Sequence, residues 1–294
     1  MARFAGIEGG GTKFVVAVGS GPDDLSDPVA IPTTGPDETL ERVLDAVRSA
    51  GPVDAAGVAM FGPLHLRPGS PDRGTVGATP KPGWEGTDVL AAIRDGLGVP
   101  VEIDTDVNGA ALGEQRWGAG RGLYSLLYLT VGTGVGGGAI LDNRQLHGID
   151  HPEMGHLRLP RHPKDTFEGI CPFHGDCLEG MTSGPAIAAR WGRRAEDLGV
   201  DTAAAVVLAG WYLGTAVANL TLALAPQRVV MGGGVMKLPG LFAAVRDRYR
   251  QALGAYFQAP EAHDPPSFIV PPGLGDRAGV LGAVALAEAC LLYT

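Results

Sequence analysis

Cys171-Pro-Phe-His174-Gly-Asp-Cys177 places a thiol, an imidazole and a second thiol at regular intervals, with two residues between each pair. Zn2+ takes such donors in tetrahedral sets, so one more ligand would close a structural site. His156 is the expected fourth ligand, and His151 and His162 are alternatives that spacing leaves open. The motif is not Cys-x-x-Cys, which argues against a redox role. Glu153 and Glu179 flank these residues. Two carboxylates beside an imidazole suit the vicinal hydroxyls of a polyol or sugar. Earlier in the chain, Asp106 and Asn108 fall where a short apolar run gives way to helical spacing. A carboxylate kept ionised by a helix N-terminus can accept a hydroxyl proton, although the same position also suits a plain N-cap.

Glycines supply a second kind of chemistry. Gly9-Gly10-Gly11-Thr12-Lys13 and Gly132-Thr133-Gly134 are turns whose backbone amides can converge on an anion without side-chain obstruction. Each leads into a strand-like run and not a helix, which excludes both the P-loop and the dinucleotide fingerprint. What remains is a pair of hairpins gripping phosphates, with the loop Gly232-Gly233-Gly234 free for a nucleoside.

The elements that must position these residues are legible from periodicity. Strands are expected at Phe4 to Glu8 and Lys13 to Val18, and the hairpin pattern returns at Leu126 to Val131 and Ala139 to Leu141. Between the hairpins lie helical spacing at Thr39 to Ser49 and Thr87 to Leu97, and strands at Val53 to Met60 and Val101 to Ile103. The alternation predicts an α/β fold of two similarly opened domains. One comprises residues 1–115 with a small-residue C-terminal helix over 279–294; the other comprises 116–278 and carries the zinc loop at 151–180. That loop, rich in His, Pro and Gly, is long enough to need a function or a metal to order it. A helix around Pro185 to Arg194, a long Ala-rich helix and a strand at Arg228 to Met231 complete the second domain.

Composition narrows the function. The 294 residues are ample for a large core, and 45% hydrophobic content excludes disorder despite 46 Gly and 23 Pro. A net charge of -9 offers no basic footprint for nucleic acid, so small-molecule chemistry is favoured. Three cysteines and the lack of an apolar leader point to the cytoplasm. Thr202 to Gln227 carries no charge and could span a bilayer by length. It is mostly Ala, Gly and Thr, contains Asn219 and lacks a flanking Lys/Arg asymmetry, so a buried helix is expected and no membrane partner.

Taken together, these motifs resemble the ROK family of repressors and sugar kinases, and within it the zinc-containing bacterial fructokinases. The likeness runs through Gly6 to Lys13, Ala78 to Trp84, Asp104 to Glu114, Leu129 to Gly138, His151 to His156, Cys171 to Gly180, Ser183 to Pro185 and Met231 to Val235, in order along the whole chain. It implies an actin-like ATPase (ribonuclease H-like) fold with an active site in the cleft between two α/β domains, and an ATP-dependent hexose kinase acting on fructose. By that likeness Asp106 is the general base. Glu8, Gly10, Gly11, Thr12, Lys13, Thr133 and Gly134 handle phosphates and Mg2+. Glu153, His156, Glu179 and Asn108 bind the sugar, and Pro185, Gly232, Gly233, Gly234 and Lys237 line the ATP site. His156, Cys171, His174 and Cys177 hold Zn2+, with the other nitrogen of His156 turned to the sugar. A homodimer is also implied. Glu8 stands where the family commonly has Asp, and Thr105 where it often has Asn; the fructokinase-like members share these departures. The alternatives are a kinase of mannose, glucose or an N-acetylated hexosamine, or a non-catalytic sugar sensor. The first strand begins at once, so the DNA-binding module of the family's repressors is not expected.

Overall fold

The computed structural model describes residues 2–79 and 81–292. Pro80, inside the Ala78 to Trp84 motif, and Tyr293 and Thr294, at the end of the expected C-terminal helix, lie outside the described residues, as does Met1. The chain divides into two compact units, Met1–Gly122 with Arg144–Pro152 and Gly273–Thr294, and Leu123–Asn143 with Glu153–Pro272. Residues 144–152 therefore pack with the first unit, whereas the sequence reading left them with the second half.

In chain order the first unit begins with β1 (Phe4–Gly9), β2 (Lys13–Gly19), β3 (Val29–Pro32), α1 (Pro36–Ala50), β4 (Ala55–Met60), α2 (Val89–Leu97), β5 (Val101–Thr105) and α3 (Asp106–Trp117). The second unit supplies β6 (Leu126–Val131) and β7 (Val135–Leu141), and β8 (Arg144–Gln145) opens the segment belonging to the first. Then follow α4 (Leu178–Thr182), α5 (Gly184–Trp191), α6 (Thr202–Leu224), β9 (Val229–Gly232), α7 (Leu241–Leu253), α8 (Pro265–Phe268) and β10 (Ile269–Val270) in the second unit, and α9 (Ala278–Leu292) in the first.

The first sheet runs β3-β2-β1-β4-β5, antiparallel through β1, β2 and β3 and parallel through β1, β4 and β5. Its central strands are buried on both faces, which is why they read as continuous apolar runs. On one face α1 turns Leu40, Val43 and Val47 inward at helical spacing. On the other lies α9, almost entirely small and apolar, whose backbone comes very close to the strands. A Cβ on Gly57 would stand 1.9 Å from the carbonyl oxygen of Ala283, and one on Gly6 2.6 Å from that of Val280. Glycine is the one residue that permits this layer to close.

The strands of the second unit run β10-β9-β6-β7, with β6 and β7 antiparallel and β9 parallel to both β6 and β10. β7 starts at Val135, so Gly136, Gly137 and Gly138 are strand residues and not part of the turn, as the sequence reading had them. A side chain at Gly137 would collide with Met154. The charge-free stretch forms α6 and ends at Leu224, after which Ala225 takes a left-handed conformation (φ 46°). Although long and apolar enough to cross a membrane, α6 is packed within its own unit. It buries Ala209, Leu213, Ala216, Val217 and Leu220 and meets α7 through Gly210, where a Cβ would approach that of Ala244 to 2.6 Å. The sequence reading gave no helix at α7, which turns Leu241, Val245, Tyr249 and Leu253 inward every fourth residue.

Candidate active site

The first glycine turn closes the β1–β2 hairpin. Gly10 donates its amide to the Lys13 carbonyl (2.9 Å), while Thr33 donates its amide to the Thr12 carbonyl (3.0 Å) and its hydroxyl to that of Gly10 (2.8 Å). The carbonyls of Gly10, Thr12 and Lys13 are thus occupied. Among the described residues the amides of Gly11 and Thr12 have no partner, the arrangement an anion needs. Glu8 stands at the end of β1 with its carboxyl pressed against Gly279, where a Cβ would lie 2.3 Å from the carboxyl carbon. Burial, and next the charge of Asp106, push this carboxyl up to about 7, against the opposing pull of Lys13 and the Val280 amide.

Asp106 is the first residue of α3, and it is not the cap. Thr105 is, its hydroxyl accepting from the Asn108 amide (3.2 Å). The capping that could have explained a carboxylate here is done by its neighbour. One Asp106 oxygen accepts from the Val107 amide (2.9 Å). Behind it Asp104, 2% exposed, accepts from the Asn108 side-chain amide (2.9 Å) and pairs with Nε2 of His147 (3.1 Å). Since the carboxylate takes the amide hydrogens, Oδ1 of Asn108 is left as a buried acceptor that meets no donor among the described residues. The hydrogen bond to Asp104 raises the His147 pKa, with partial burial opposing. Sequence reading singled out neither Asp104 nor His147, because their meeting depends on the return of residues 144–152.

In the second unit the expected metal ligands converge. His156, Cys171, His174 and Cys177 place one donor atom each within 4.8 Å of one another. Nδ1 of His156 lies 3.7 Å from Sγ of Cys171 and 3.5 Å from that of Cys177, and Nδ1 of His174 lies 3.7 Å from Cys171. A tetrahedron with Zn–S near 2.3 Å and Zn–N near 2.0 Å has N to S edges of roughly 3.5 Å, so this donor set fits the ion. Nδ1 being used, Nε2 of His156 is the nitrogen left for another partner. The two alternative ligands are engaged elsewhere in their own units. His151 accepts from the Leu64 amide (3.1 Å), and His162 stacks edge-on against Trp211 (4.9 Å). A second anchor, unread in the sequence, holds the middle of the loop: buried Asp165 accepts from Arg190 (2.5 Å) on α5 and from the Tyr212 hydroxyl (2.7 Å) on α6.

Cys177 also caps α4, which carries Glu179 to the second glycine turn. There Oε2 of Glu179 accepts from the Val135 amide (2.9 Å) and sits where a Cβ on Gly134 would be, 2.7 Å away. Glu153 and His156 flank Gly155, whose absent side chain lets the chain touch β7; a Cβ would fall 1.8 Å from the Val135 carbonyl. Thr133 stays at the tip of the turn, and the Gly184 amide donates to the Gly132 carbonyl (2.7 Å). This brings the start of α5, with Ser183 as cap and Pro185 in the first turn, beside Gly132. Gly233, left-handed at φ 91°, lies so close to the Val131 backbone that no side chain fits, while Gly234 to Lys237 form a short helical turn.

Comparison with known proteins places this geometry. The description of the ROK family matches residues 4–290. The fructokinase of Zymomonas mobilis is 45% identical over 290 residues, 96% of this chain and 95% of its own length. That of Pediococcus pentosaceus is 41% identical over 285 residues, 97% of each chain. Among solved structures, the ROK hexokinase of Thermus thermophilus superposes with a TM-score of 0.82 at 30% identity, covering 99% of this chain and 100% of that one. The two α/β units are accordingly those of the actin-like ATPase fold. With the family's pattern matched almost from end to end, the chain belongs to the ROK family.

Proposed function

We propose that this chain, a sugar kinase, transfers the γ-phosphoryl group of ATP to D-fructose, giving fructose 6-phosphate and ADP. The fructokinases it resembles support the choice of sugar. The observation that carries the chemistry is Asp106, relieved of capping by Thr105 and set within electrostatic reach of Glu8 beside a turn with unpartnered amides. Phosphoryl transfer asks mainly for alignment and charge neutralisation. Asp106 takes the proton of the attacking sugar hydroxyl. Gly10, Gly11, Thr12 and Lys13, with Thr133 and Gly134, hold phosphates, and Pro185, Gly232, Gly233, Gly234 and Lys237 line the nucleotide. Asn108 binds a sugar hydroxyl together with Glu153, Glu179 and Nε2 of His156.

Mg2+ would supply neutralising charge on the β- and γ-oxygens. Glu8 fits that cation, since a carboxyl driven toward neutrality by burial and a like charge is one that a cation relieves. Zn2+ held by His156, Cys171, His174 and Cys177 would order the loop that carries Glu153 and Glu179. The reading includes a cytoplasmic homodimer, whose size light scattering measures.

The test is ADP release from zinc-replete protein with ATP and Mg2+ over fructose, mannose, glucose and N-acetylated hexosamines. Fructose is expected to be turned over fastest, and Asp106→Ala, folded normally, to lose about 10^2 to 10^4-fold in turnover. Faster turnover of another hexose would replace fructose, and an active Asp106→Ala would remove the base.

A further inference from the structure

A lysine with no role so far lies over the first glycine turn. The end of the Lys81 side chain occupies the space that a side chain at Gly11 would fill: a Cβ there would stand 2.9 Å from Cε and 3.3 Å from Nζ. Its backbone is fixed from the core. Trp84, 1% exposed, donates its amide to the Lys81 carbonyl (3.2 Å), stacks on Phe14 at 5.4 Å, and donates its indole N–H to the Thr34 carbonyl (2.9 Å). The Lys81 amide in turn reaches the Thr79 hydroxyl (3.4 Å).

The charge around this ammonium is unbalanced. Among the described residues Nζ of Lys81 has no hydrogen-bond or ion-pair partner, although most lysines this close to the core are paired. Beside it in the turn are the amides of Gly11 and Thr12, which meet no partner among the described residues, and the cation Lys13. Glu8 interacts with Asp106 and with Lys13, and Lys81 is not among its partners. A half-buried cation facing open amides is complementary to a multiply charged anion.

We propose that Lys81 is a catalytic residue that contacts the non-bridging oxygens of the phosphoryl group in transfer. This rests on the kinase reading above. In the step, the bond between the sugar hydroxyl oxygen and the γ-phosphorus forms and the bond from that phosphorus to the β,γ-bridging oxygen breaks. The hydroxyl proton passes to Asp106 and ADP leaves with the bridging electron pair. The Lys81 ammonium offsets the charge spread over the equatorial oxygens of the loose transition state.

The experiment compares wild type, Lys81→Met and Lys81→Arg by steady-state ADP release on fructose and MgATP, with fructose affinity measured separately by calorimetry. Lys81→Met is expected to lower kcat about 10^2 to 10^3-fold, as for loss of one electrostatic stabiliser of a transition state, with fructose affinity within about threefold of wild type. Lys81→Arg should restore part of kcat. Thermal melting checks that both variants are folded, and a structural role would move melting and affinity together. Wild-type turnover with Lys81→Met equally active, or altered in KM alone, overturns the proposal and leaves the kinase reading standing. A wild type silent on every hexose removes both.

Discussion

The two glycine turns share a sequence pattern and differ in what stands behind them. At the first, the carbonyls of Gly10, Thr12 and Lys13 are occupied, the amides of Gly11 and Thr12 meet no partner among the described residues, Lys81 lies over Gly11, and Lys13 acts on Glu8, whose carboxyl is pushed up to about 7. At the second, Gly132 has both its amide and its carbonyl bonded, and the Val135 amide already belongs to Glu179. The first is prepared for arriving negative charge. The second, whose Thr133 and Gly134 amides likewise meet no partner among the described residues, is in addition tied into its own scaffold, through Glu179 to α4, through the Cys177 cap to the four-ligand cluster. A glycine-rich turn specifies a backbone shape, and the charges placed behind it decide what that shape is for.

The contrast can be broken most forcefully at the cluster. Chelation, or Cys177→Ala, should remove one zinc per chain and cost on the order of 3 to 5 kcal/mol, a fall in melting temperature of roughly 10 °C. Metal analysis with thermal melting checks this, and retention of one zinc with unchanged melting would refute a structural site.

Glu8 tests the other turn, with the opposite sign. Its folded pKa, about 7, exceeds the ordinary value of 4.5, so the stability tied to its neutral form is full below pH 4.5 and is lost as pH rises through 7. Glu8→Gln should therefore match wild type in stability near pH 4 and exceed it by on the order of 2 to 3 kcal/mol at pH 8, while losing activity. Denaturant melts at the two pH values measure the difference; a less stable variant at pH 8 would mean that the carboxylate supports the ligand-free fold.

The smallest effect sharpens the comparison. Glu179→Ala leaves the Val135 amide without its partner and should cost about 1 to 2 kcal/mol. Glu179→Gln, which keeps an acceptor oxygen, should recover most of it. Equal melting of all three proteins would put the second turn on the same footing as the first.

Both hairpins were legible in the sequence because apolar runs, Val-rich in β2, meet at glycine turns, and the cluster because ligand spacing survives translation into a knuckle. Helix α7 was readable in principle from Leu241, Val245, Tyr249 and Leu253, but its frequent Arg and Gln obscured the stripe. Other features were out of reach of any local pattern. That Thr105 and not Asp106 caps α3 depends on hydroxyl geometry. The pairing of His147 with Asp104 joins residues 43 apart in sequence. Glu114 reads as a solvated helix residue, yet it is fully buried and accepts from the amides of Ala119, Gly273 and Leu274, the last two from the far end of the chain.

The glycine-permitted contact of α9 with β1 and β4 has a consequence for biosynthesis. β1 cannot cover this apolar face until α9 has been made, because the residues that cover it follow it by most of the residues described. The second unit has no such wait, being complete once residue 272 is out. Maturation should run against the order of synthesis, with the first unit held open late and its β1–β4 face in need of protection while translation finishes.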